Sequence, residues 1–284
     1  MSSPNRSKFE KRFAFGKNWA RFIEILDEDR LAEAERSLQE MLGSPRLDGL
    51  TFLDAGCGSG LFSLAARRLG ARVHSFDFDP ISVATTRSLK ERFAPSDSDW
   101  LIAHGSVLDT AYLSGLGQFD VVYSWGVLHH TGQMWQAMDI IAASVANQGR
   151  LFISLYNDQG LISDFWRKVK RLYCSGVLGR IVVIPVFFTF FVLAGLTGDL
   201  LRRRNPLRRY TEYRRNRGMS LVHDWIDWVG GYPYEAANPG EVFEFYTRRG
   251  FAMSKLTTRP SRGCNEYVFR HTGVAPFFPP DPIT

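Results

Sequence analysis

Cysteine is scarce: the 284 residues hold three, Cys57, Cys174 and Cys264, far apart in the chain. An odd, scattered set argues against a disulfide framework and against a zinc knuckle, and it points to a reducing compartment. The opening stretch MSSPNRSKFEKRFAFGKNW has no apolar core segment, so no secretory signal is expected. No Gly-Lys-Ser/Thr follows the glycines near residue 56, which removes the phosphate-cradling loop of nucleoside triphosphatases. Internal repeats are absent, and no set of His, Cys, Asp and Glu shows metal-ligand spacing.

What is present suits one globular domain with a substantial core plus an insertion, or two small domains: 45% of residues are hydrophobic and 14% aromatic. The net charge of +6 hides an asymmetry. Between residues 165 and 217 stand thirteen Lys and Arg against only Asp199 and Glu212, a local +11 that leaves the remainder at −5. A block of this kind suits a polyanionic surface, either anionic lipid or nucleic acid; the plainer alternative is a solvated arginine-rich face. Nucleic acid is not expected, because a pure hydrocarbon run, rather than interleaved aromatics, lies among the arginines.

Residues 18–42 read as one helical run with apolar positions at Phe22, Ile25, Leu26, Leu31, Leu38, Met41 and Leu42, stopped by Gly43 and Pro45. Strands are then predicted at 51–54, 72–77, 100–104, 120–125 and 150–156, with helices at 61–69, 81–93 and 134–146 between them. This alternation implies a parallel sheet covered on both faces. From 157 to about 238 no clear strand is visible. NPGEVFEFYTRRGF then reads as a helix capped by Asn238, with Pro239 first and Gly250 as stop. Two last strands, 251–257 and 266–271, are joined by a short loop and are expected to be antiparallel. The organisation predicted is a helical lid over 1–49, a nucleotide-type core over 50–156, a basic and apolar helical insertion over 157–237, and a closing segment over 238–284.

The stretch TFLDAGCGSG places Asp54, Gly56, Gly58 and Gly60 at the carboxyl end of the first strand, the edge where open α/β sheets hold their ligands. Glycine permits a tight turn and close backbone approach. Asp77 ends the next strand, where a carboxylate accepts from both ribose hydroxyls, so the set describes an adenosine site. A pyrophosphate-binding turn has the spacing G-x-G-x-x-G; here it is G-x-G-x-G, and Asp54 beside it disfavours a diphosphate while suiting an ammonium group. The pattern favours a cationic, phosphate-free adenosyl ligand over NAD.

LDAGCGSG, the acid in SFDFDP, HGSVLD and FDVVYSWGVLHHTG resemble, in order, the motifs of class I S-adenosylmethionine-dependent methyltransferases over about residues 50–156. The resemblance implies a Rossmann-like, doubly wound α/β fold: a seven-stranded sheet with its last strand antiparallel, an N-terminal helical lid and a long helical insertion after the fifth strand. It implies S-adenosyl-L-methionine as cofactor, held by Asp54, Gly56, Gly58, Gly60 and Asp77, with Ser106 and Val107 flanking the adenine and Ser124 close by. Ser106 stands where many relatives carry an acid, so the adenine contact there falls to backbone or hydroxyl. FGKNW, with Trp19, is either a lid over the cofactor or the ordinary packing of an aromatic helix start.

For a hydroxyl acceptor the protein must also remove a proton. His129 and His130 form the one histidine pair, after the fourth strand, and either is a candidate general base; the alternative is a packed loop histidine. Tyr156 and Asn157 end the fifth strand at the same edge. Trp225, Tyr232, Tyr234 and Glu235 in HDWIDWVGGYPYE wall an apolar acceptor or else form a hydrophobic minicore. Arg262, Asn265 and Glu266 lie in the loop and strand start of the last pair.

Residues 181–198, IVVIPVFFTFFVLAGLTG, carry no charge. As a helix of about 27 Å they approach the roughly 30 Å of a bilayer core. A single crossing conflicts with the return of the chain to the same sheet and with basic residues on both flanks. A monotopic or hairpin-like insertion into one leaflet on the cytoplasmic side fits better; burial in the core or a dimer interface is the alternative. The expected reaction is O-methylation of a hydroxyl on a lipidic acceptor, similar to the quinone-ring O-methyltransferases. Rivals are a glycan or other small-molecule hydroxyl, and an NAD(P)-dependent oxidoreductase or epimerase.

Overall fold

A computed structural model of the chain describes residues 13, 15–23, 26–203, 205, 221–259 and 263–273. Seven strands form one sheet in the order β3-β2-β1-β4-β5-β7-β6. They are β1 (Thr51–Ala55), β2 (Arg72–Asp77), β3 (Trp100–His104), β4 (Phe119–Trp125), β5 (Val145–Tyr156), β6 (Phe251–Thr257) and β7 (Cys264–His271). β1 to β5 are parallel, β7 runs antiparallel beside β5, and β6 pairs antiparallel with β7. The order reverses between β1 and β4, so the ends of β1, β2 and β4 open at a switch point.

Ten helices are described: α1 (Gly16–Phe22), α2 (Glu28–Leu42), α3 (Leu61–Arg68), α4 (Pro80–Phe93), α5 (Thr110–Leu116), α6 (Met134–Ala142), α7 (Leu161–Tyr173), α8 (Val177–Leu201), α9 (Leu221–Gly230) and α10 (Pro239–Thr247). One core layer packs Leu53, Val122 and Ile153 against α6 and α10 through Met138 and Tyr246. The opposite layer packs Phe52, Val73 and Phe152 against α2 and α3 through Leu38 and Leu64.

Several boundaries differ from the sequence expectation, each for a local reason. The N-terminal helical run is broken, because Asp27 is extended and its carboxylate accepts from the Arg30 amide at 3.0 Å, starting α2 afresh. Ile25 lies outside the described residues. Among the described residues before β1, α1 stands over the ligand edge, whereas α2 buries Leu31, Leu38 and Leu42 in the core. The helix expected to reach residue 146 ends at Ala142, since Phe119 takes the Ser144 carbonyl at 2.8 Å and pairs with Val145. α5 escaped the sequence pattern because it is only seven residues long, started by Asp109 accepting from the Tyr112 amide at 2.9 Å. Asn238 and Glu241 form the reciprocal cap expected of α10.

The described residues of the insertion include α7, α8 and α9. Trp166, Tyr173, Val183, Phe191 and Val229 make its own small core. α8 runs unbroken for 25 residues through Pro185, so the hairpin form of the insertion is not what the chain adopts. α8 is long and apolar enough to cross a membrane by length and composition.

Candidate functional site

The glycine turn is shaped by three left-handed residues, Gly56, Gly58 and Gly60, with φ of 88°, 56° and 80°. A Cβ on Gly56 would meet Val127 at 2.4 Å, and one on Gly60 would meet Thr86 at 2.7 Å, so neither position admits a side chain. From α4, Thr86 also donates to the Gly58 carbonyl at 3.3 Å and lies 3.3 Å from the Cys57 sulfur. These ties from Thr86 carried no recognisable sequence signal.

Asp77 closes the turn. It accepts from the Gly58 amide at 2.9 Å and from the Asp79 amide at 2.8 Å. Burial pushes its pKa up, opposed by those two amides. An ionised carboxylate has about four acceptor positions, so two amides leave capacity for two further donors. Phe78, half exposed beside it and tilted against the His104 ring, adds an apolar face that sequence reasoning passed over, although it stands in SFDFDP. Ser106 accepts from the Leu108 amide at 3.2 Å, and Val107 is buried below it.

Asp54 sits differently from the ammonium-facing position expected. It is 2% exposed, accepts from the Ser63 hydroxyl, and has its pKa raised to about 7, chiefly by burial. Ser63 reaches Ser75 at 2.7 Å, and Ser75 accepts from the Trp100 indole at 2.8 Å. The carboxylate therefore ends a buried chain that joins β1, α3, β2 and β3. Ser124 is likewise committed to the fold: buried, it donates to the Ala55 carbonyl at 2.8 Å and joins β4 to β1.

α1 lies across this edge. The Gly16 amide donates to Asp79 at 3.0 Å, and the Trp19 indole stands where a Cβ on Gly58 would meet it at 3.1 Å. Phe15 packs on the His130 ring at 4.9 Å between centroids, which ties the N-terminal segment to the second half of the site.

That second half follows β4. His129 is 1% exposed, and its ring lies 4.0 Å from that of Tyr156. Burial holds its pKa well below the usual value, with His130 and Lys170 acting in the same direction. Its Nδ1 has no hydrogen-bond partner among the described residues. His130 is half buried and contacts the Tyr156 ring edge-on at 5.4 Å. Tyr156 also meets Tyr234 at 5.1 Å and Trp228 at 5.8 Å. Trp228 lies in the HDWIDWVGG stretch, but only folding reveals that it, and not Trp225, faces Tyr156.

Behind the rings Lys170 is fully buried. Its ammonium donates to the Trp228 carbonyl and lies 4.6 Å and 5.1 Å from the centres of the Trp228 and Tyr234 rings. A buried cation needs such partners. Nothing in the spacing distinguished Lys170 from its exposed basic neighbours.

The remaining candidates hold the scaffold. Trp225 packs on Phe188 and Phe191 of α8, so it belongs to the minicore. The Tyr232 carbonyl accepts from the Phe13 amide at 3.0 Å. Glu235 accepts from the Met134 amide at 3.1 Å, an acid at the start of α6. Asn157 bridges to Ala237, and Asn265, buried, holds the Arg259 amide at 3.0 Å and the Tyr267 hydroxyl at 3.3 Å. Glu266 accepts from the Trp125 indole at 2.8 Å. Arg262 lies outside the described residues. Among the described residues no group of three or more His, Cys, Asp and Glu is placed to hold a metal ion.

The two halves meet at Val127, which touches Gly56 and precedes the histidines by two and three residues. A ligand on the glycine turn and a second one against His130 would thus be neighbours.

The profile of the Methyltransferase domain family matches residues 26–251. A curated relative, the ubiquinone biosynthesis O-methyltransferase of Caulobacter sp. (strain K31), is 28% identical over 249 residues, which cover 86% of this chain and 77% of the relative. The protein of the same name from Methylobacterium sp. (strain 4-46) is 28% identical over 125 residues, 42% of this chain and 46% of the relative. Several such relatives are matched over less than half of their length. Among solved structures, magnesium protoporphyrin IX methyltransferase from Synechocystis PCC 6803 with bound SAH superposes with a TM-score of 0.52 at 14% identity, covering 85% of this chain and 83% of that one. That likeness is one of fold.

Proposed function

The chain belongs to the Methyltransferase domain family, and from that premise we propose that it methylates a hydroxyl oxygen on a lipidic, membrane-associated acceptor such as a prenylated quinone precursor. The cofactor is S-adenosyl-L-methionine, as in the family. The residues present fit it: a turn from which Cβ atoms are excluded, a carboxylate with acceptor capacity for a ribose, and an apolar face at Phe78 and Val107 for the adenine. When bound, S-adenosylmethionine supplies a methyl group on a positively charged sulfur that is already a leaving group.

What remains for the protein is placement and proton removal. Good alignment of two reactants is worth roughly 7–11 kcal/mol. Gly56 against Val127 brings the donor turn beside the acceptor loop. His130 donates from Nδ1 to the Pro233 carbonyl at 2.6 Å. When such a ring is neutral, its lone pair lies on Nε2, the form of a general base. In this reading the acceptor hydroxyl gives its proton to Nε2 as its oxygen takes the methyl group. Tyr156, Tyr234 and Trp228 wall a planar acceptor, and Phe15 and Trp19 exclude water from above.

The observation that carries the reading is the contact of Val127, next in the chain to the loop of His129 and His130, with Gly56 of the glycine turn. The lipidic acceptor is supported by the names of the 28% identical relatives and by the apolar insertion beside the aromatic wall. Calorimetry with S-adenosylhomocysteine tests the donor half. Transfer of label from methyl-labelled S-adenosylmethionine to prenylated phenols, against glycan hydroxyls as comparison, tests the acceptor half. Label appearing only on glycans would overturn the acceptor class.

A further inference from the structure

We propose that α7 and α8 form a docking surface for an anionic lipid bilayer, with α8 lying in the plane of the interface; its purpose rests on the lipidic acceptor proposed above. α8 is covered on one stripe only. Val183, Phe191, Gly195 and Asp199 face the protein, while Leu178, Val182, Val186 and Leu193 face outward, with Leu178 81% exposed. At 100° per residue the outward four fall within one narrow sector, opposite the buried stripe. On α7, Leu161 and Phe165 are exposed too, and Phe165 lies 6.1 Å from Phe187 of α8, which joins the two surfaces. An apolar face of this extent marks an interaction site.

Three features select the occupant. First, a core helix is ruled out by the exposure itself, since 17% of the most apolar part of α8 is buried. Second, a transverse span is ruled out by the packing of the chain after it. Trp225 of α9 packs against Phe188 and Phe191, at the middle of α8, so the protein body lies alongside the helix rather than at one end. Third, the apolar face is bordered along α7 by the exposed cations Arg167, Lys168 and Arg171, and exposed Arg202 and Arg203 stand at the end of α8, while Arg180 turns inward over the Tyr173 ring. The exposed acid among them, Asp164, is paired with Arg167 at 2.5 Å. Lipid head groups of negative charge complement that border while the hydrocarbon receives the outward face. The remaining arginines of the basic block, between residues 204 and 217, lie outside the described residues.

The surface leads to the site. From Phe165 the rings of Trp166 and Trp228 lie in succession at 5.6 Å and 5.5 Å, and Trp228 meets Tyr156 beside the histidines. This run of packed rings, with Trp166 buried at its middle, couples the surface mechanically to the site.

The test is flotation of the full chain with phosphatidylcholine vesicles, with and without phosphatidylglycerol, at low and high salt. The wild type is expected to float with the anionic vesicles and to be partly released by salt. Val182→Asp/Val186→Asp should bind them about tenfold less, as should Lys168→Glu/Arg171→Glu. All these positions are exposed, and unchanged affinity for S-adenosylhomocysteine certifies the fold of each variant. The proposal is overturned if the wild type binds the cofactor product yet floats with neither vesicle, or if the Asp variant floats as well as the wild type. It is also overturned if sedimentation finds a lipid-free dimer that the Asp variant converts to monomer, which makes the face a self-interface. Flotation without any binding of S-adenosylhomocysteine leaves the docking surface standing and removes the methyl-transfer reading instead.

Discussion

His130 Nδ1 lies 2.6 Å from the Pro233 carbonyl oxygen, joining the loop after β4 to the end of the insertion. The adjacent His129 is instead enclosed, with its charged form disfavoured by burial. Two neighbouring histidines thus have different work, and substitution should separate them.

His130→Ala is expected to lower kcat by about 10²–10⁴-fold while leaving the affinity for S-adenosylhomocysteine nearly unchanged. His129→Ala should instead cost about 2–4 kcal/mol of stability through the cavity it leaves. Single-turnover rates at saturating cofactor and urea denaturation of both variants check the assignment; full turnover in His130→Ala would refute it.

Gly56→Ala tests the donor turn. Its φ of 88° disfavours any side chain, and the new methyl would meet Val127 at 2.4 Å. Strain of about 1–3 kcal/mol corresponds to a loss of roughly tenfold to a hundredfold in affinity for S-adenosylhomocysteine, measured by calorimetry.

Asp77→Asn should weaken cofactor binding by a similar factor, because hydrogen bonds to a charged group are worth about 1.5–3 kcal/mol. The Gly58 and Asp79 amides lose a charged acceptor in the same step. Asp77→Glu, which restores charge but not reach, should recover little, and equal affinity in all three proteins would show that Asp77 only braces the turn.

Asp54 gives a pH signature. Its folded pKa of about 7 lies above the ordinary 3.8. Below pH 4 both folded and unfolded chains are protonated and there is no penalty. Between pH 4 and 7 the folded chain retains a proton that the unfolded chain releases, so stability falls as pH rises, by about 4 kcal/mol in all. Asp54→Asn should therefore match the wild type near pH 4 and exceed it at pH 8 in urea denaturation of the ligand-free protein.

The sheet was legible because its strands are short apolar runs separated by glycine and helix signals. The turn at Gly56 to Gly60 was legible because left-handed backbone leaves a compositional mark. Side-chain destinations were not. Trp225 and Trp228 share one helix face, yet the rise of about 4.5 Å between them sets the first against α8 and the second against Tyr156. Glu235 and Asn265 look like site residues in sequence, because acids and amides serve equally to cap helices and brace loops. Lys170 is one of thirteen basic residues in its block, and only the packing of α7 on α9 buries its ammonium while Arg167, Lys168 and Arg171 stay in solvent. The break before α2 depended on one backbone conformation at Asp27, which periodicity cannot sense.

β7 lies between β5 and β6, although it is made last of the seven. On the ribosome, β5 therefore emerges with one row of amides and carbonyls unsatisfied, and more than a hundred further residues must be synthesised before residues 264–271 can fill it. The apolar α8 is produced during that interval, when the nascent sheet is still open. Early capture of α8 by lipid would shield both hazards at once, and slowing elongation between residues 201 and 264 should then raise aggregation in a membrane-free translation system but not in one supplied with vesicles.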